Sequence, residues 1–127
     1  MSIEEKQNFP TYQDSDSDVY PQNEREVSNF IKQFYKSNVP IELIGSGSKR
    51  KIGKPLQCSK TLSLTKLNGI IEYLPEELYI KVKACTSIQQ IEEELKKNKQ
   101  QLAFEPIDFG YLFNGKSNCG TAAGQVA

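Results

Sequence analysis

The chain has 127 residues, and its 16 basic and 16 acidic side chains cancel to a formal net charge of zero. This length is enough for one domain with a hydrophobic core, and the balanced charge gives no global field that would attract nucleic acid or a membrane surface. No apolar run reaches the roughly 20 residues of a transmembrane helix, and the polar N-terminus lacks the apolar segment of a secretory signal, so the sequence predicts a cytoplasmic protein.

The chain contains no histidine, and its three cysteines, Cys58, Cys85 and Cys119, are widely spaced. Zinc sites need clustered cysteine and histidine ligands, so we predict no metal site and reduced, mostly buried thiols. Without an imidazole the chain also lacks the usual base of Ser-His and Cys-His catalysis. We therefore assign no catalytic residue, and a self-contained hydrolase is not expected.

The first predicted elements form a strand–helix–strand unit that follows a polar, acidic segment. Residues 1–17 have few apolar side chains and are predicted to be a flexible tail. A short strand at residues 19–21 precedes a helix, which begins with a capping box of Asn23 and Glu26. The apolar positions of this helix share one predicted face: Val27, Phe30, Ile31, Phe34 and Tyr35. A strand at residues 41–44 follows, and the short links predict that the two strands form a parallel pair.

The middle of the chain predicts more β-structure. A short alternating strand at residues 61–64 is followed by a strand at 70–74, a turn at 75–77 and a strand at 78–84. The last two strands are expected to form an antiparallel hairpin with one wet side. The apolar side of its second strand would consist of Leu78, Ile80, Val82 and Ala84.

A second helix is predicted after this hairpin. Ser87 and Gln90 mark its start, and its narrow apolar stripe consists of Ile88, Ile91 and Leu95. Residues 101–104 predict a last strand, and the chain from Glu105 onward reads as loop. The whole pattern predicts an α+β fold, with an N-terminal parallel βαβ unit followed by a mixed or antiparallel sheet with a helix.

The segment GSGSK, Gly45 to Lys49, comes directly after a predicted strand. Alternate glycines permit positive φ values, so successive N–H groups can curl around an anion, and the hydroxyls of Ser46 and Ser48 add donors. The segment thus predicts a phosphate site, with a plain flexible turn as the equally weighted alternative. It differs from the dinucleotide-binding motif GxGxxG, because Arg50 stands at the position of the third glycine. It also differs from both this motif and the P-loop because no helix is predicted directly after the loop. A nucleic-acid site is disfavoured, because no aromatic residues lie among the basic ones.

Two further segments are candidates for the same site. The run from Asn118 to Ala127 is rich in small residues that would let a flat or bulky ligand approach the backbone, although for this segment taken alone tight packing against a neighbouring strand is the favoured explanation. In the segment EPID, Pro106 precedes Asp108, whose carboxylate could accept a hydrogen bond from a ligand hydroxyl or cap a turn.

Taken together, these segments resemble a known family. The order GSGSK, TLSL, GIIEYLPEELYIKVKACTSIQQIEEEL, LAFEP and a small-residue loop is similar to the FAD-binding domain of the p-cresol methylhydroxylase and vanillyl-alcohol oxidase (PCMH) type. More narrowly, it resembles the FAD-binding subunit of bacterial glycolate oxidases. The chain departs from the family pattern at Ala123, where a glycine is usual, and at Ile107, where a proline is usual. By this resemblance, residues 18–127 are the N-terminal part of such a domain, with its remainder and a cap domain absent.

The resemblance implies a binding site for non-covalent FAD, in which two loops hold the diphosphate. One wall would consist of Gly45, Ser46, Gly47, Ser48 and Lys49, with main-chain donors and a lysine to offset charge. The facing wall would consist of Gly120, Thr121, Ala123, Gly124 and Ala127, with Pro106 and Asp108 nearby.

The resemblance also implies a function. The parent protein would oxidise glycolate to glyoxylate and pass electrons through the flavin, beside a second flavin subunit and an iron–sulfur subunit that could link it to the inner membrane. Two alternatives remain open at this stage. One is another oxidoreductase on the same scaffold, similar to D-lactate dehydrogenase or alditol oxidase, and the other is a non-catalytic truncated binding module.

Overall fold

A computed structural model of the chain describes residues 18–50, 52–113 and 120–127. The predicted acidic tail, residues 1–17, lies outside the described residues, as do Lys51 and Cys119. The described residues contain a three-stranded sheet and a two-stranded sheet, each with its own helix and hydrophobic cluster. The predicted α+β fold is therefore confirmed.

The first sheet is entirely parallel, but its strand order differs from the prediction. Its elements are β1 (Asp18–Val19), α1 (Glu24–Lys36), β2 (Ile41–Ile44) and β3 (Lys60–Ser63), in the order β1-β3-β2. The predicted direct pairing of β1 with β2 is wrong, because β3 lies between them and pairs with both. Leu62 and Ser63 of β3 are fully buried, and a strand that is buried on both faces belongs at the centre of a parallel sheet.

Helix α1 begins as predicted but buries a narrower face. The side chain of Asn23 accepts a hydrogen bond from the Glu26 N–H at 2.9 Å, which confirms the cap. Phe30 and Phe34 pack on the sheet in one buried cluster with Val19 and Leu62. Partly buried apolar side chains pack against this cluster: Val27, Val39, Ile41 and Leu64. The other two predicted positions, Ile31 and Tyr35, are 44% and 85% exposed. Each follows a buried phenylalanine by one residue, which turns it about 100° away from the sheet.

The second sheet is the predicted antiparallel hairpin, and α2 packs on it. Strand β4 (Ile70–Leu74) and strand β5 (Tyr79–Val82) pair antiparallel across a 3₁₀ turn at Pro75–Glu77. Helix α2 (Ile88–Lys97) begins after Ser87, whose hydroxyl accepts a hydrogen bond from the Gln90 N–H at 3.1 Å. Its predicted apolar stripe, Ile88, Ile91 and Leu95, is buried against Tyr73, Ile80 and Val82.

Three local predictions are wrong. Leu78 ends the 3₁₀ turn with a φ of 53° and is 82% exposed, so it does not join the apolar side of β5. Residues 101–104 form no strand. The segment after Glu105, predicted as loop, contains two short helices, α3 (Gly110–Phe113) and α4 (Ala122–Val126). Helices of four or five residues are too short to show the 3.6-residue periodicity on which sequence prediction depends.

Thr86 fixes the connection between the hairpin and α2. Its buried hydroxyl accepts a hydrogen bond from the Gly69 N–H at 3.0 Å and donates to the Lys83 carbonyl oxygen at 2.7 Å. Replacing Thr86 with valine keeps the shape but leaves the Gly69 N–H without this acceptor. We expect the free energy of unfolding to fall by about 1–3 kcal/mol, measured by urea denaturation. Thr86→Ser, which keeps the hydroxyl, should lose clearly less, and equal losses in the two variants would contradict this role.

Candidate functional site

A cleft of about 360 Å³ opens where β2 ends. Its size lies within the range of about 300–1,000 Å³ that is typical of ligand pockets, and open sheets with parallel strands bind ligands outside the carboxyl ends of those strands. One wall is the loop from Gly45 to Arg50, and the facing wall consists of Gly120, Thr121, Gly124 and Gln125. The structure therefore brings the two segments proposed from the sequence into one cleft.

The loop wall turns tightly after β2. Gly47 has a φ of +71°, a left-handed conformation that favours glycine. The Arg50 N–H donates to the Gly47 carbonyl oxygen at 3.3 Å, which closes a turn. At Gly45 the two walls meet, because a Cβ atom there would lie 3.4 Å from both the Cys85 Sγ and the Thr121 Oγ1. Glycine at this position allows the loop to approach the facing wall closely.

The facing wall is held to the start of α2 by its own backbone. Thr121 pairs antiparallel with Ser87, the Ala122 N–H donates to the Thr86 carbonyl oxygen at 2.8 Å, and the Ala123 N–H donates to the Ala84 carbonyl oxygen at 2.9 Å. The Gly124 N–H donates to the hydroxyl of the helix cap Thr121 at 3.3 Å. Three successive amides of this wall are thus satisfied within the protein, so they shape the cleft without being offered to a ligand.

Four other predicted site residues do not line the cleft: Pro106, Asp108, Ala123 and Ala127. The carboxylate of Asp108 accepts a hydrogen bond from the Gly110 N–H at 2.8 Å, so it caps the start of α3. The Ala127 N–H donates to the Ala123 carbonyl oxygen at 2.9 Å and closes the end of α4. In this structure, therefore, Asp108 acts as a cap, one of the two roles that its sequence position predicted.

The cationic side chains of the loop bind protein groups. The guanidinium of Arg50 forms an ion pair with Glu42, with 3.1 Å between Nε and Oε1. This hydrogen bond and the negative charge of Glu42 raise the pKa of Arg50 above its ordinary value. Lys49 donates from Nζ to the Gly124 carbonyl oxygen at 3.2 Å, and the same ammonium lies 5.4 Å from the centroid of the Phe109 ring. Lys49 therefore links the two walls of the cleft.

Gln125 is a cleft residue that sequence reasoning missed. Its side-chain amide donates from Nε2 to the Ile107 carbonyl oxygen at 2.8 Å and accepts from the Ile107 N–H at 3.1 Å. These bonds connect α4 to the segment at residues 105–109. A long polar side chain within a run of small residues is the signal that the sequence offers for it.

The thiol of Cys85 lies under the loop wall, and partial burial raises its pKa. Because the folded state disfavours the thiolate, the thiol's contribution to stability is complete below its ordinary pKa of about 8.5 and is lost as pH rises through the raised value. We expect the stability of wild type relative to Cys85→Ser to decline above about pH 8.5. Urea denaturation across the alkaline range measures this difference, and a constant difference would contradict the expectation. The other described cysteine, Cys58, is also half-buried and unpaired.

Neither a metal-binding cluster nor a membrane-spanning helix is present in residues 18–50, 52–113 and 120–127. Within these ranges no three His, Cys, Asp or Glu side chains are grouped so that they could hold a metal ion. None of the helices there has the length and apolar composition to cross a membrane.

The class of protein follows from a comparison of the sequence with protein-family models. Residues 16–113 match the family model described as "FAD binding domain". The chain therefore belongs to this family of FAD-binding domains, and its cofactor is FAD.

One curated relative is similar in sequence to most of the chain. The chain is 32% identical over 94 residues to the "Glycolate oxidase subunit GlcE" of Escherichia coli (strain K12). The aligned residues make up 72% of this chain and 27% of the relative. The chain thus spans about a quarter of the length of this relative.

Solved structures show the same fold. Two crystal forms of alkyldihydroxyacetonephosphate synthase superpose with TM-scores of 0.59 and 0.55, at 20% and 18% sequence identity. These matches cover 84% and 79% of this chain but only 20% and 18% of those proteins. The likeness confirms the predicted PCMH-type fold.

Proposed function

We propose that this chain is the N-terminal part of the FAD-binding subunit of a glycolate oxidase complex, and that it binds FAD non-covalently. The parent protein would oxidise glycolate to glyoxylate in the cytoplasm and pass electrons through the flavin. Its partners would be a second flavin subunit and an iron–sulfur subunit. The observation that carries the proposal is the shared cleft between the loop at Gly45–Lys49 and the wall at Gly120–Gly124. The similarity to the glycolate oxidase subunit of Escherichia coli supports the choice of substrate.

The loop wall fits the diphosphate of FAD. Two glycines remove side chains where an anion would approach, the positive φ of Gly47 suits a concave arrangement of N–H groups, and the two serines line the same wall. We assign the main diphosphate contacts to Gly45, Ser46, Gly47 and Ser48. Lys54, which also lines the cleft, adds positive charge.

The facing wall has a different role in this proposal. Its amides at Ala122, Ala123 and Gly124 already have acceptors. Van der Waals contacts, not hydrogen bonds from these amides, would therefore hold the cofactor against Gly120, Thr121 and Gly124. Pro106, Asp108, Ala123 and Ala127 would support this wall from behind. Bound FAD supplies the redox chemistry, and the residues of this chain bind it and orient it.

Titration of the purified chain with FAD tests the cofactor assignment. Saturable quenching of flavin fluorescence is expected with FAD, and much weaker binding is expected with riboflavin, because riboflavin lacks the diphosphate that the loop would hold. If FAD does not bind, or if the two ligands bind equally, the assignment of this cleft is wrong.

The substrate is tested on the full-length protein assembled with its partner subunits. Under anaerobic conditions glycolate should bleach the flavin absorbance faster than D-lactate does. Faster bleaching by D-lactate would instead support a D-lactate dehydrogenase-like protein.

A further inference from the structure

The side chain of Gln125 pairs with the backbone of Ile107 as a neighbouring strand would. It donates to the carbonyl oxygen at 2.8 Å and accepts from the N–H of the same residue at 3.1 Å. A side-chain amide that satisfies both polar groups of one peptide residue fixes the position of that residue along two directions. The segment at residues 105–109 has no strand or helix of its own, so these two bonds substitute for a sheet ladder.

A second connection reaches the same region from the loop wall. Lys49 donates to the carbonyl oxygen of Gly124, the residue before Gln125, and its ammonium lies over the ring of Phe109, two residues after Ile107. Two adjacent residues of α4 therefore make different connections: Gly124 binds the loop, and Gln125 binds the segment at 105–109. The loop and α4 line the cleft, whereas the segment at 105–109 contacts both of them without lining it.

Gly120 has a packing role in this arrangement. A Cβ atom at residue 120 would lie 2.7 Å from Nε2 of Gln125 and 3.6 Å from its Cδ. The first distance is too short for a real contact, so an alanine there would push the end of the Gln125 side chain away from Ile107. The absence of a side chain at Gly120 therefore leaves room for the amide of Gln125.

We propose that Gln125 is a positioning residue, which holds the segment at 105–109 against α4 and thereby fixes the facing wall of the cleft. Gly120 is a glycine because this amide occupies the space of its side chain. The effect on cofactor affinity rests on the proposed binding of FAD, whereas the pairing with Ile107 does not.

Two variants of Gln125 test the pairing on the 127-residue chain. Gln125→Met keeps the length of the side chain without the amide, and Gln125→Ala removes both. In each we expect faster hydrogen–deuterium exchange at the Ile107 amide and about three- to fivefold weaker FAD binding by fluorescence titration. Gln90→Ala, on an exposed position of α2, is the matched control and should change neither quantity. Thermal unfolding followed by circular dichroism verifies that each variant is folded.

Gly120→Ala tests the explanation of the glycine. We expect it to reproduce the fast exchange and the weaker binding of Gln125→Ala. The double variant Gly120→Ala/Gln125→Ala should bind FAD no more weakly than either single variant, because both changes break the same two hydrogen bonds. Additive losses would overturn the packing role of Gly120.

The outcomes separate the pairing from the cofactor assignment. Slow exchange at Ile107 in both Gln125 variants would overturn the pairing. Fast exchange with unchanged FAD affinity would overturn its effect on the cleft, and wild-type affinity in Gln125→Met alone would show that packing, not the amide, positions the wall. If the wild-type chain fails to bind FAD, the proposed function fails, while the exchange at Ile107 still decides whether the pairing exists.

Discussion

Replacing Phe34 with alanine is expected to lower the free energy of unfolding by about 3–5 kcal/mol. The side chain is 1% exposed and packs in the cluster of Val19, Phe30 and Leu62, with its ring centroid 6.3 Å from that of Phe30. The loss has two parts, the hydrophobic free energy of the buried ring and the cost of the cavity that it leaves. The cavity remains because the packed helix and sheet can relax only partly into the empty space. Small domains are stable by only about 5–15 kcal/mol, so this single substitution removes a substantial part of the total stability.

Tyr35→Ala is the matched control for this prediction. Tyr35 is the next residue of the same helix, is also aromatic, and is 85% exposed, so its replacement should change stability by less than about 0.5 kcal/mol. Urea denaturation followed by circular dichroism measures both variants. Similar losses at the two positions would show that α1 does not bury the face described here.

Gly47→Val is expected to weaken FAD binding at least about tenfold. A β-branched side chain is strongly disfavoured at the φ of +71° that Gly47 adopts. The backbone would have to leave the left-handed region, and the turn that the Arg50 N–H closes onto the Gly47 carbonyl oxygen would open. Since this loop is the wall to which we assign the diphosphate donors, its distortion should reduce affinity for FAD directly.

Gly69→Val separates this effect from a general loss of stability. Gly69 also has a positive φ, of +118°, a Cβ there would meet nothing within 4 Å, and neither this residue nor its chain neighbours line the cleft. Both variants should therefore lose similar stability from backbone strain, while only Gly47→Val loses affinity for FAD in the fluorescence titration. Equal affinities in the two variants would place the diphosphate elsewhere.

The elements that the sequence predicted well are those with local signals. The cap at Asn23, the hairpin with its turn at Pro75 and the stripe of α2 each depend on residues a few positions apart. In each case short-range hydrogen bonds or one-sided burial determine the structure, so the pattern and the structure agree.

The central position of β3 depended on long-range pairing that no local pattern contains. The alternation of TLSL predicts a strand with one buried face, yet Ser63 is buried as well as Leu62, because β3 lies between β1 and β2. Likewise Ile31 and Tyr35 share an apolar stripe in sequence, but the width of the sheet surface decides which part of that stripe is covered.

In the candidate site, too, the features with a local sequence signal were predicted and the long-range contacts were not. Glycine and serine at residues 45–48 indicated a loop that could approach an anion, and the resemblance to a family indicated the segment that faces it. The pairing of Gln125 with Ile107 spans 18 positions between two irregular segments, and the donation from Lys49 to Gly124 spans 75. Contacts of this kind depend on the folded arrangement, so sequence periodicity could not reveal them.

The hydrogen bond from the Ala123 N–H to the Ala84 carbonyl oxygen also bears on how related chains can be recognised. Ala123 stands at a position where the sequence resemblance implies a glycine, and it does not line the cleft. What the position must supply is a peptide group that docks on the strand-to-helix connection, and an alanine does so as well as a glycine. A search pattern that demands two consecutive glycines there would overlook divergent members such as this one, whereas a pattern built on small residues would retain them.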